Sequence, residues 1–256
     1  MVNFKKITVF FILLLQNPLL LAATPSIIRF ATEATYPPFE YIDETGQIKG
    51  FDIDLAKALC AEMNAQCTFT NQAFNSLIPS LQLGKFDAVI AALGITSERE
   101  KQVAFTNAYY EPSASFVAPL DKNYSISNLT GKTIGVQQGT TFEKYLVDRF
   151  QNKVVMKSYA SVQDAFLDLS SERIDLVLAD TPIVQEWLKR DDNNKHYAVV
   201  EKPIVDRLYF GAGYGIAVRK NDTALQQSLN NALATIKKNG KYQKIMDTYF
   251  STKSSS

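Results

Sequence analysis

Two stretches of the chain follow the same plan, LQLGKFDAVIAAL at residues 81–93 and LDLSSERIDLVLAD at residues 167–180. Each consists of a helix end, a basic residue, an apolar residue and an aspartate, Asp87 or Asp175, followed by an apolar run. A short apolar run bounded by turn residues is typical of a strand buried on both faces. The likeness is weak as a repeat, but it predicts two lobes, each containing a buried parallel strand at this point.

Strand and helix patterns alternate on both sides of these stretches. The first series is IIRFAT, DIDLAKALCAEM, CTFTN, SLIPSLQLG and FDAVIAAL, and the second is KTIGV, TTFEKYLVDRF, VVMKSYA, VQDAFLDLSS and IDLVLAD. In the first long helix Leu55, Leu59 and Met63 share one face, and Asp52 is the expected N-cap. A strand, GYGIAVRK, and two helices separated by Gly240 complete the tail. This alternation predicts an α/β fold with mostly parallel sheets and helices on both faces.

The N-terminal segment has the three-part pattern of a secretory signal peptide. Lys5 and Lys6 precede an apolar run that is too short to span a bilayer, and Ala22 and Ala23 follow it. We therefore expect residues 1–23 to be cleaved and the mature protein to be exported and soluble. Loss of the two lysines, with no acid in that segment, takes the net charge from +1 to −1. Such a balance gives no basic excess for binding nucleic acid or anionic lipid.

The two cysteines of the chain, Cys60 and Cys67, flank one predicted helix–strand turn. An oxidising compartment favours a disulfide between them, and the small loop limits its stabilisation to about 2–3 kcal/mol. A metal pair or a catalytic thiol is the alternative, but no histidine lies near either cysteine in the sequence.

The residues that follow the predicted strands are candidates for a site, because ligands bind beyond the carboxyl ends of the strands in open parallel sheets. They are Glu33, Tyr36 and Phe39 after the first strand, Gly94, Thr96 and Arg99 after FDAVIAAL, QQGTT at residues 137–141 after KTIGV, and Asp180 after IDLVLA. Because these positions occur in both halves, we expect one cleft between two lobes.

The chemistry of this set matches a zwitterion with an additional cationic group. Arg99 can hold a carboxylate through two parallel hydrogen bonds, and the N–H groups of Thr140 and Thr141, which open a helix, suit the same anion. The remaining candidates suit the cationic parts of a ligand. They are the acids Asp180 and Glu33, with Tyr36 and Phe74 to enclose a flat or aliphatic side chain.

Each of these residues also has a purely structural interpretation. Arg99 lies in the charged stretch SEREK and can be a solvated helix residue, and Asp180 precedes Thr-Pro and can be a helix N-cap. Phe74 can belong to the core. QQGTT lacks the lysine of a P-loop and does not indicate a nucleotide site.

Nothing in the sequence specifically indicates an enzyme. The chain has a single histidine, His196, which lies in a hydrophilic run. Histidine-based triads and H-E-x-x-H zinc sites are therefore excluded. Carboxylate or lysine chemistry stays open. We expect no cofactor, no metal and no catalytic residue.

The chain resembles the periplasmic solute-binding proteins of ABC importers for polar amino acids, in the lysine-, arginine-, ornithine- and histidine-binding group. The matching motifs, in order, are TEATYPPFE, GFDIDLAKALC, CTFTNQAFNSLIPSL, ITSEREKQVAFT, GVQQGTT and KNGKYQKIMDTYF. They extend over essentially the whole predicted mature chain. The similarity is greatest to the arginine-binding members, chiefly at Glu33, YPPFE, NQAFNSLIPSL and EREKQV.

The resemblance implies a two-lobed periplasmic-binding-protein fold, with crossover strands near YEPSASFV and PIVDRLYFG as the hinge. Residues 24–112 and 207–256 are expected to form lobe 1 and residues 113–206 lobe 2. A Cys60–Cys67 disulfide is also a trait of the family.

The resemblance also implies roles for individual residues. Arg99 is expected to bind the ligand carboxylate, with help from the backbone near Ala92 and Thr141. Asp180 is expected to bind the α-ammonium, Tyr36 and Phe74 to flank the side chain, and Glu33 to bind its cationic end. The expected binding set is completed by Ala91, Gly94, Thr96, Gln138 and Thr140. Relatives often carry hydroxyls or an acid where this chain has Ala91, Ala92 and Gly94. With Gln137 and Phe142, these departures leave arginine, lysine, ornithine, histidine and glutamine open as ligands.

The expected partners are L-arginine or another basic amino acid and an ABC permease in the inner membrane, with the protein acting as a periplasmic monomer. Two alternatives remain. Cyclohexadienyl dehydratases are similar in fold and length, and would need an acid poised in the cleft. A sensor domain is disfavoured because no membrane-spanning pattern follows the domain.

Overall fold

The computed structural model describes residues 27–250, and the predicted signal peptide lies outside the described residues. In chain order the strands are β1 (Ile27–Thr32), β2 (Thr35–Tyr36), β3 (Glu40–Ile42), β4 (Ile48–Lys49), β5 (Gln66–Asn71), β6 (Ala88–Val89), β7 (Ala104–Phe105), β8 (Ala114–Pro119), β9 (Thr133–Gln137), β10 (Val155–Tyr159), β11 (Leu176–Asp180), β12 (Tyr197–Ile204) and β13 (Ala217–Val218). The helices are α1 (Phe51–Glu62), α2 (Leu77–Gln82), α3 (Ser97–Glu100), α4 (Thr141–Phe150), α5 (Val162–Ser170), α6 (Thr181–Lys189), α7 (Arg207–Phe210), α8 (Thr223–Lys238) and α9 (Lys241–Phe250).

The two large sheets have the same strand plan. The first has the order β5-β1-β6-β13-β7 and the second β10-β9-β11-β8-β12. In each, the first three strands are parallel and the fourth, β13 or β8, runs antiparallel to its neighbours. The predicted α/β class with two mostly parallel sheets is therefore confirmed.

The aspartates of the two matching stretches do the same job in the two sheets. A carboxylate oxygen of Asp87 accepts the backbone N–H of Arg29 at 3.0 Å, and one of Asp175 accepts that of Thr133 at 2.8 Å. The backbone N–H of each aspartate donates back to the carbonyl of the same partner residue, at 2.9 Å in both lobes. Asp87 thus fixes β6 beside β1, and Asp175 fixes β11 beside β9. The weak sequence repeat therefore reflects a real structural equivalence.

Helices cover both faces of both sheets. In the first lobe α1 packs against α8 and α9 on one face, with Leu59 and Leu229 fully buried, while Leu77 of α2 is buried on the other. In the second lobe Phe166 of α5 stacks on Trp187 of α6, with ring centroids 4.6 Å apart. The opposite face holds a separate core around α4. This arrangement leaves the strand ends as the place where the lobes meet.

The short helix α7 packs against α4, and its Phe210 belongs to the same core cluster. Phe210 is 1% exposed and lies 5.2 Å from Phe142 and 5.5 Å from Tyr145 between ring centroids. The chain then turns at Gly211, where φ is +88° and an added Cβ would lie 2.3 Å from the Ile95 carbonyl oxygen. That close approach requires glycine and marks where the chain returns to the first lobe.

Two local predictions can be compared directly with the structure. Cys60 and Cys67 form a disulfide that joins the end of α1 to β5, as predicted. The prediction that Asp52 caps α1 was wrong, because Gly50 occupies the N-cap and Asp52 lies in the first turn with 0% exposure. Its carboxylate binds groups of the core instead. Within residues 27–250, no helix has the length and apolar character needed to cross a membrane.

Candidate functional site

A cavity with an empty volume of about 310 Å³ lies between the two lobes. Its walls include most of the residues predicted to bind a ligand, namely Glu33, Tyr36, Phe74, Ala91, Ala92, Gly94, Arg99, Thr140 and Thr141, and are completed by Gln137 and Tyr214.

Arg99 places a guanidinium on the first-lobe side of the cavity. Thr96 caps α3 by accepting the Arg99 backbone N–H at 3.3 Å, so the helix start holds the arginine in place. The guanidinium donates to the Gly94 carbonyl at 3.0 Å and to the Gly139 carbonyl at 3.1 Å, and it lies 5.5 Å from the centre of the Phe74 ring. No carboxylate of residues 27–250 forms a salt bridge with it.

Burial lowers the pKa of Arg99 to about 10, so the guanidinium remains charged at neutral pH. A cation without an ion-pair partner is costly to bury. The Arg99 site is therefore electrostatically incomplete and suited to an anion.

The N-terminus of α4 lies on the opposite wall. The Thr140 hydroxyl accepts the Glu143 backbone N–H at 3.2 Å and donates to the Gln137 carbonyl at 2.7 Å. Because the first N–H groups of a helix lack intrahelical partners, the start of α4 at Thr141 adds positive potential beside the guanidinium.

Asp180 is buried beneath the cavity rather than on its surface. It ends β11 at the N-cap position of α6, but its side chain makes no capping hydrogen bond. Instead it accepts the Tyr36 hydroxyl at 2.6 Å and the Tyr214 hydroxyl, both from the first lobe. Burial raises its pKa to about 7, against the opposing effect of the two tyrosine hydrogen bonds. An adjacent cation would favour its ionised form.

Glu33 provides the second acid of the site and is 4% exposed. Its carboxylate accepts the Thr35 hydroxyl and the Gln137 amide, the latter at 3.1 Å across the cleft. Burial raises the pKa of Glu33, while these two hydrogen bonds lower it. The carboxylate is thus oriented by both lobes.

Besides Asp180, two more predicted residues lie away from the cavity walls. The side chain of Gln138 is exposed, whereas that of its neighbour Gln137 is 3% exposed and points inward, because successive side chains of a strand alternate between faces. Thr96 lines a larger groove outside the cavity, with its hydroxyl used in capping α3.

The sequence reasoning missed Tyr214 as a site residue. It precedes β13, which runs antiparallel, so the start of this strand meets the carboxyl ends of the parallel strands. A search that also included residues before the antiparallel strands would have found it.

Hydrogen bonds join the lobes directly across the cleft. Besides the contacts of Asp180, Glu33 and Arg99, the Gln163 amide donates to the Thr35 carbonyl at 3.3 Å. The lobes are therefore closed on each other in this structure. Among the described residues there is no cluster of histidine, cysteine, aspartate or glutamate suited to a metal ion.

Comparison with known proteins identifies the family. The model of the bacterial extracellular solute-binding proteins, family 3, matches residues 28–252. The chain belongs to this family. ABC transporter arginine-binding protein 1 of Escherichia coli K12 is 52% identical over 229 residues, which cover 90% of this chain and 93% of that protein. The resemblance predicted from the sequence motifs is thus confirmed.

Solved structures of related proteins share the fold. A Salmonella typhimurium periplasmic binding protein described for its high arginine specificity has a TM-score of 0.83 and 42% identity, covering 89% of this chain and 100% of that one. An ancestral amino acid-binding protein described as a precursor of cyclohexadienyl dehydratase has a TM-score of 0.78 and 31% identity, covering 88% and 96%. Both support the two-lobed architecture of this family member.

Proposed function

We propose that this family member is the substrate-binding component of an ABC amino-acid importer and that it binds L-arginine in the interlobe cavity. The observation that carries the proposal is the charge pattern of the site. The half-buried guanidinium of Arg99 has no ion-pair partner among the described residues. Two buried acids, Glu33 in the cavity wall and Asp180 beneath the cavity, form no salt bridge with a cation of the described residues. A ligand with one anionic and two cationic groups complements all three.

The α-carboxylate of the ligand is assigned to Arg99. A guanidinium holds a carboxylate through two parallel, charge-assisted hydrogen bonds, and the start of α4 at Thr141 favours the same negative charge. The ligand carboxylate would replace the bonds that the guanidinium makes to the Gly94 and Gly139 carbonyls. Because one carbonyl comes from each lobe, this exchange connects binding to lobe closure.

The α-ammonium is assigned to Asp180. The hydroxyls of Tyr36 and Tyr214 each donate a hydrogen bond to one oxygen of Asp180 and so hold the carboxylate in one orientation. Each oxygen keeps a lone pair that can accept a further hydrogen bond. An ammonium close to this acid lowers its pKa and fixes the ionised form.

The cationic side chain is assigned to Glu33. Phe74 on the first lobe provides an aromatic face, and Gln137 on the second lobe holds the Glu33 carboxylate. A planar guanidinium can bond two oxygens in one plane and stack on a ring, whereas an ammonium offers a point charge. These features favour arginine over lysine and ornithine, and the neutral side chain of glutamine leaves Glu33 without a cation.

Closure of the lobes around the ligand supplies the mechanism. Each lobe contributes part of the site, so a ligand that contacts both favours the closed form by its differential affinity. We further propose that residues 1–23 are a cleaved signal peptide, that the protein acts as a monomer in the periplasm, and that the closed form docks on a permease of the inner membrane.

A thermal-shift screen of the twenty amino acids and ornithine tests the proposal, since a true ligand raises the melting temperature. We expect arginine to give the largest shift, with smaller shifts for lysine and ornithine. The screen also includes prephenate, with an assay for its conversion to product, because one related structure is described as a precursor of cyclohexadienyl dehydratase. Turnover of prephenate, or a shift for neutral amino acids alone, contradicts the proposed function.

A further inference from the structure

Two further acids are buried under the cavity and take no part in the proposed ligand contacts. Glu40 in β3 is 1% exposed and Asp52 in the first turn of α1 is 0% exposed. The backbone N–H of Asp52 donates to the Phe39 carbonyl at 2.9 Å, which brings the start of α1 beside β3. Burial and, after it, the charge of the nearby Asp52 carboxylate raise the pKa of Glu40.

One oxygen atom of each acid is left without a hydrogen-bond partner within residues 27–250. Glu40 Oε2 and Asp52 Oδ1 are buried, and neither accepts a hydrogen bond from a donor group of the described residues. Two carboxylates in contact repel each other strongly in a low-dielectric core. A proton on one of them turns the repulsion into a hydrogen bond and gives both oxygens a partner.

The other oxygen of Asp52 supports the wall of the binding cavity. Asp52 Oδ2 accepts the Ala92 backbone N–H and the Tyr109 hydroxyl, each at 2.8 Å. Ala92 lines the cavity and has φ +43°, a left-handed conformation that is uncommon for a residue with a side chain. Such conformations persist only where the surroundings hold them in place. The Asp52 hydrogen bond is one such restraint.

We propose that Glu40 is protonated and donates to an ionised Asp52, and that this carboxyl–carboxylate pair positions the Ala92 turn for ligand binding. Glu40 and Asp52 are therefore positioning residues that do not touch the ligand. The assignment of the proton follows from the neighbours of each acid. Asp52 receives two hydrogen bonds on Oδ2 and lies at the N-terminus of a helix, and both features stabilise a negative charge.

The groups around Glu40 are acidic or neutral. They are Asp52 on α1, Glu33 after β1, Asp180 from the second lobe, and the phenols of Tyr36 and Tyr109. Burial and the nearby carboxylates raise the pKa of Glu40 well above its usual range, while burial raises that of Asp52 only to about 6. At neutral pH this is consistent with the proton residing on Glu40.

The sign of the linked stability effect follows from the raised pKa of Glu40. The proton stabilises the folded state fully below the pKa of the unfolded chain, and this contribution shrinks as the pH rises toward the folded-state pKa. Glu40→Gln carries a permanent amide donor and has no proton to lose. The melting temperature of the wild-type protein should therefore fall relative to that of Glu40→Gln as the pH is raised from acid to alkaline.

Infrared spectroscopy of the ligand-free protein detects the proton directly. At a pH near 8, above the pKa of about 7 at Asp180, we expect a protonated-carboxyl C=O band that Glu40→Gln lacks. The exposed Glu44, in the turn after β3, provides the matched control Glu44→Gln, which should retain the band. A band that persists in Glu40→Gln, or melting profiles of wild type and Glu40→Gln that run parallel across the pH range, overturns the proton assignment.

The positioning role rests on the proposed function and is tested separately. We expect Glu40→Gln to bind arginine within about threefold of wild type, because its amide donates the same hydrogen bond. Glu40→Leu removes the donor and should weaken binding more than tenfold, while hydrogen exchange at the Ala92 amide becomes faster. Equal affinities and equal Ala92 exchange in all three proteins remove the positioning role. A wild-type protein that binds no amino acid contradicts the proposed function, whereas the infrared, melting and Ala92 exchange results still decide this inference.

Discussion

Replacing Glu33 by glutamine tests the assignment of the ligand side chain most sharply. The substitution keeps the size and shape of the side chain and removes only the charge. Thr35 and Gln137 remain to orient the new amide. The perturbation therefore concerns the attraction between a buried acid and a cationic ligand, with little change in packing.

The magnitude follows from the burial of the site. Glu33 is 4% exposed, so bulk water screens the interaction poorly. Removing one partner of a buried ion pair costs about 3–5 kcal/mol. The amide oxygen of the glutamine retains one hydrogen bond to the guanidinium, which offsets about 1 kcal/mol. At about 1.4 kcal/mol for each factor of ten, arginine should bind roughly a hundredfold more weakly.

Isothermal titration calorimetry with arginine, lysine and citrulline measures this effect. Citrulline has the shape of arginine without its charge, so we expect its affinity to change by less than about threefold. Glu62→Gln, at the exposed end of α1, serves as a matched control and should bind all three ligands like wild type. Equal losses for arginine and citrulline, or an unchanged affinity for arginine, would refute the assignment of Glu33 to the guanidinium.

Three other predictions concern the remaining parts of the site and fold. Arg99→Ala should weaken every amino-acid ligand more than about a hundredfold in calorimetry, because the ligand carboxylate is left buried and unpaired; retained binding would move the carboxylate site elsewhere. Arginine affinity measured by calorimetry should fall about tenfold per pH unit below about 7, the pKa of Asp180, because binding must then displace a proton from the carboxyl group. Asp180→Asn should bind arginine weakly and with an affinity that does not change over this pH range. The double variant Cys60→Ser with Cys67→Ser should lose about 2–3 kcal/mol of unfolding free energy in urea while arginine affinity is kept, and an unchanged midpoint would show that the short loop contributes nothing.

The sequence predicted the scaffold well because buried strands and amphipathic helices have strong periodic patterns. The two stretches ending in Asp87 and Asp175 are the clearest example. Each aspartate binds both backbone groups of a neighbouring strand, so a polar residue recurs at the same point of each lobe. The physical requirement is local to one strand pair, which is why a short motif was enough to reveal it.

The candidate site was harder to predict wherever a contact depends on strand register or on residues distant in the chain. Gln137 and Gln138 are adjacent, and only the strand register decides which of them points to the cleft. Tyr214 precedes an antiparallel strand that pairs with β6, more than a hundred residues away in the chain. Asp52 was predicted to cap its own helix, but its Oδ2 accepts hydrogen bonds from the Ala92 backbone N–H and the Tyr109 hydroxyl instead. None of these contacts has a local sequence signature.

The electrostatics of the site explain why closure should depend on the ligand. In this closed structure burial lowers the pKa of Arg99, which lacks a counter-charge among the described residues, and raises the pKa of Asp180 to about 7. Both effects disfavour a closed form without a ligand. The hydrogen bonds of Tyr36 and Tyr214 to Asp180 partly offset this cost. In the proposed binding mode a basic amino acid would remove this cost, because its carboxylate would pair with the Arg99 guanidinium and its ammonium would stabilise the ionised Asp180. The same charges that select the ligand therefore also set the preference for the closed form, and a neutral molecule of equal size gains far less from closure.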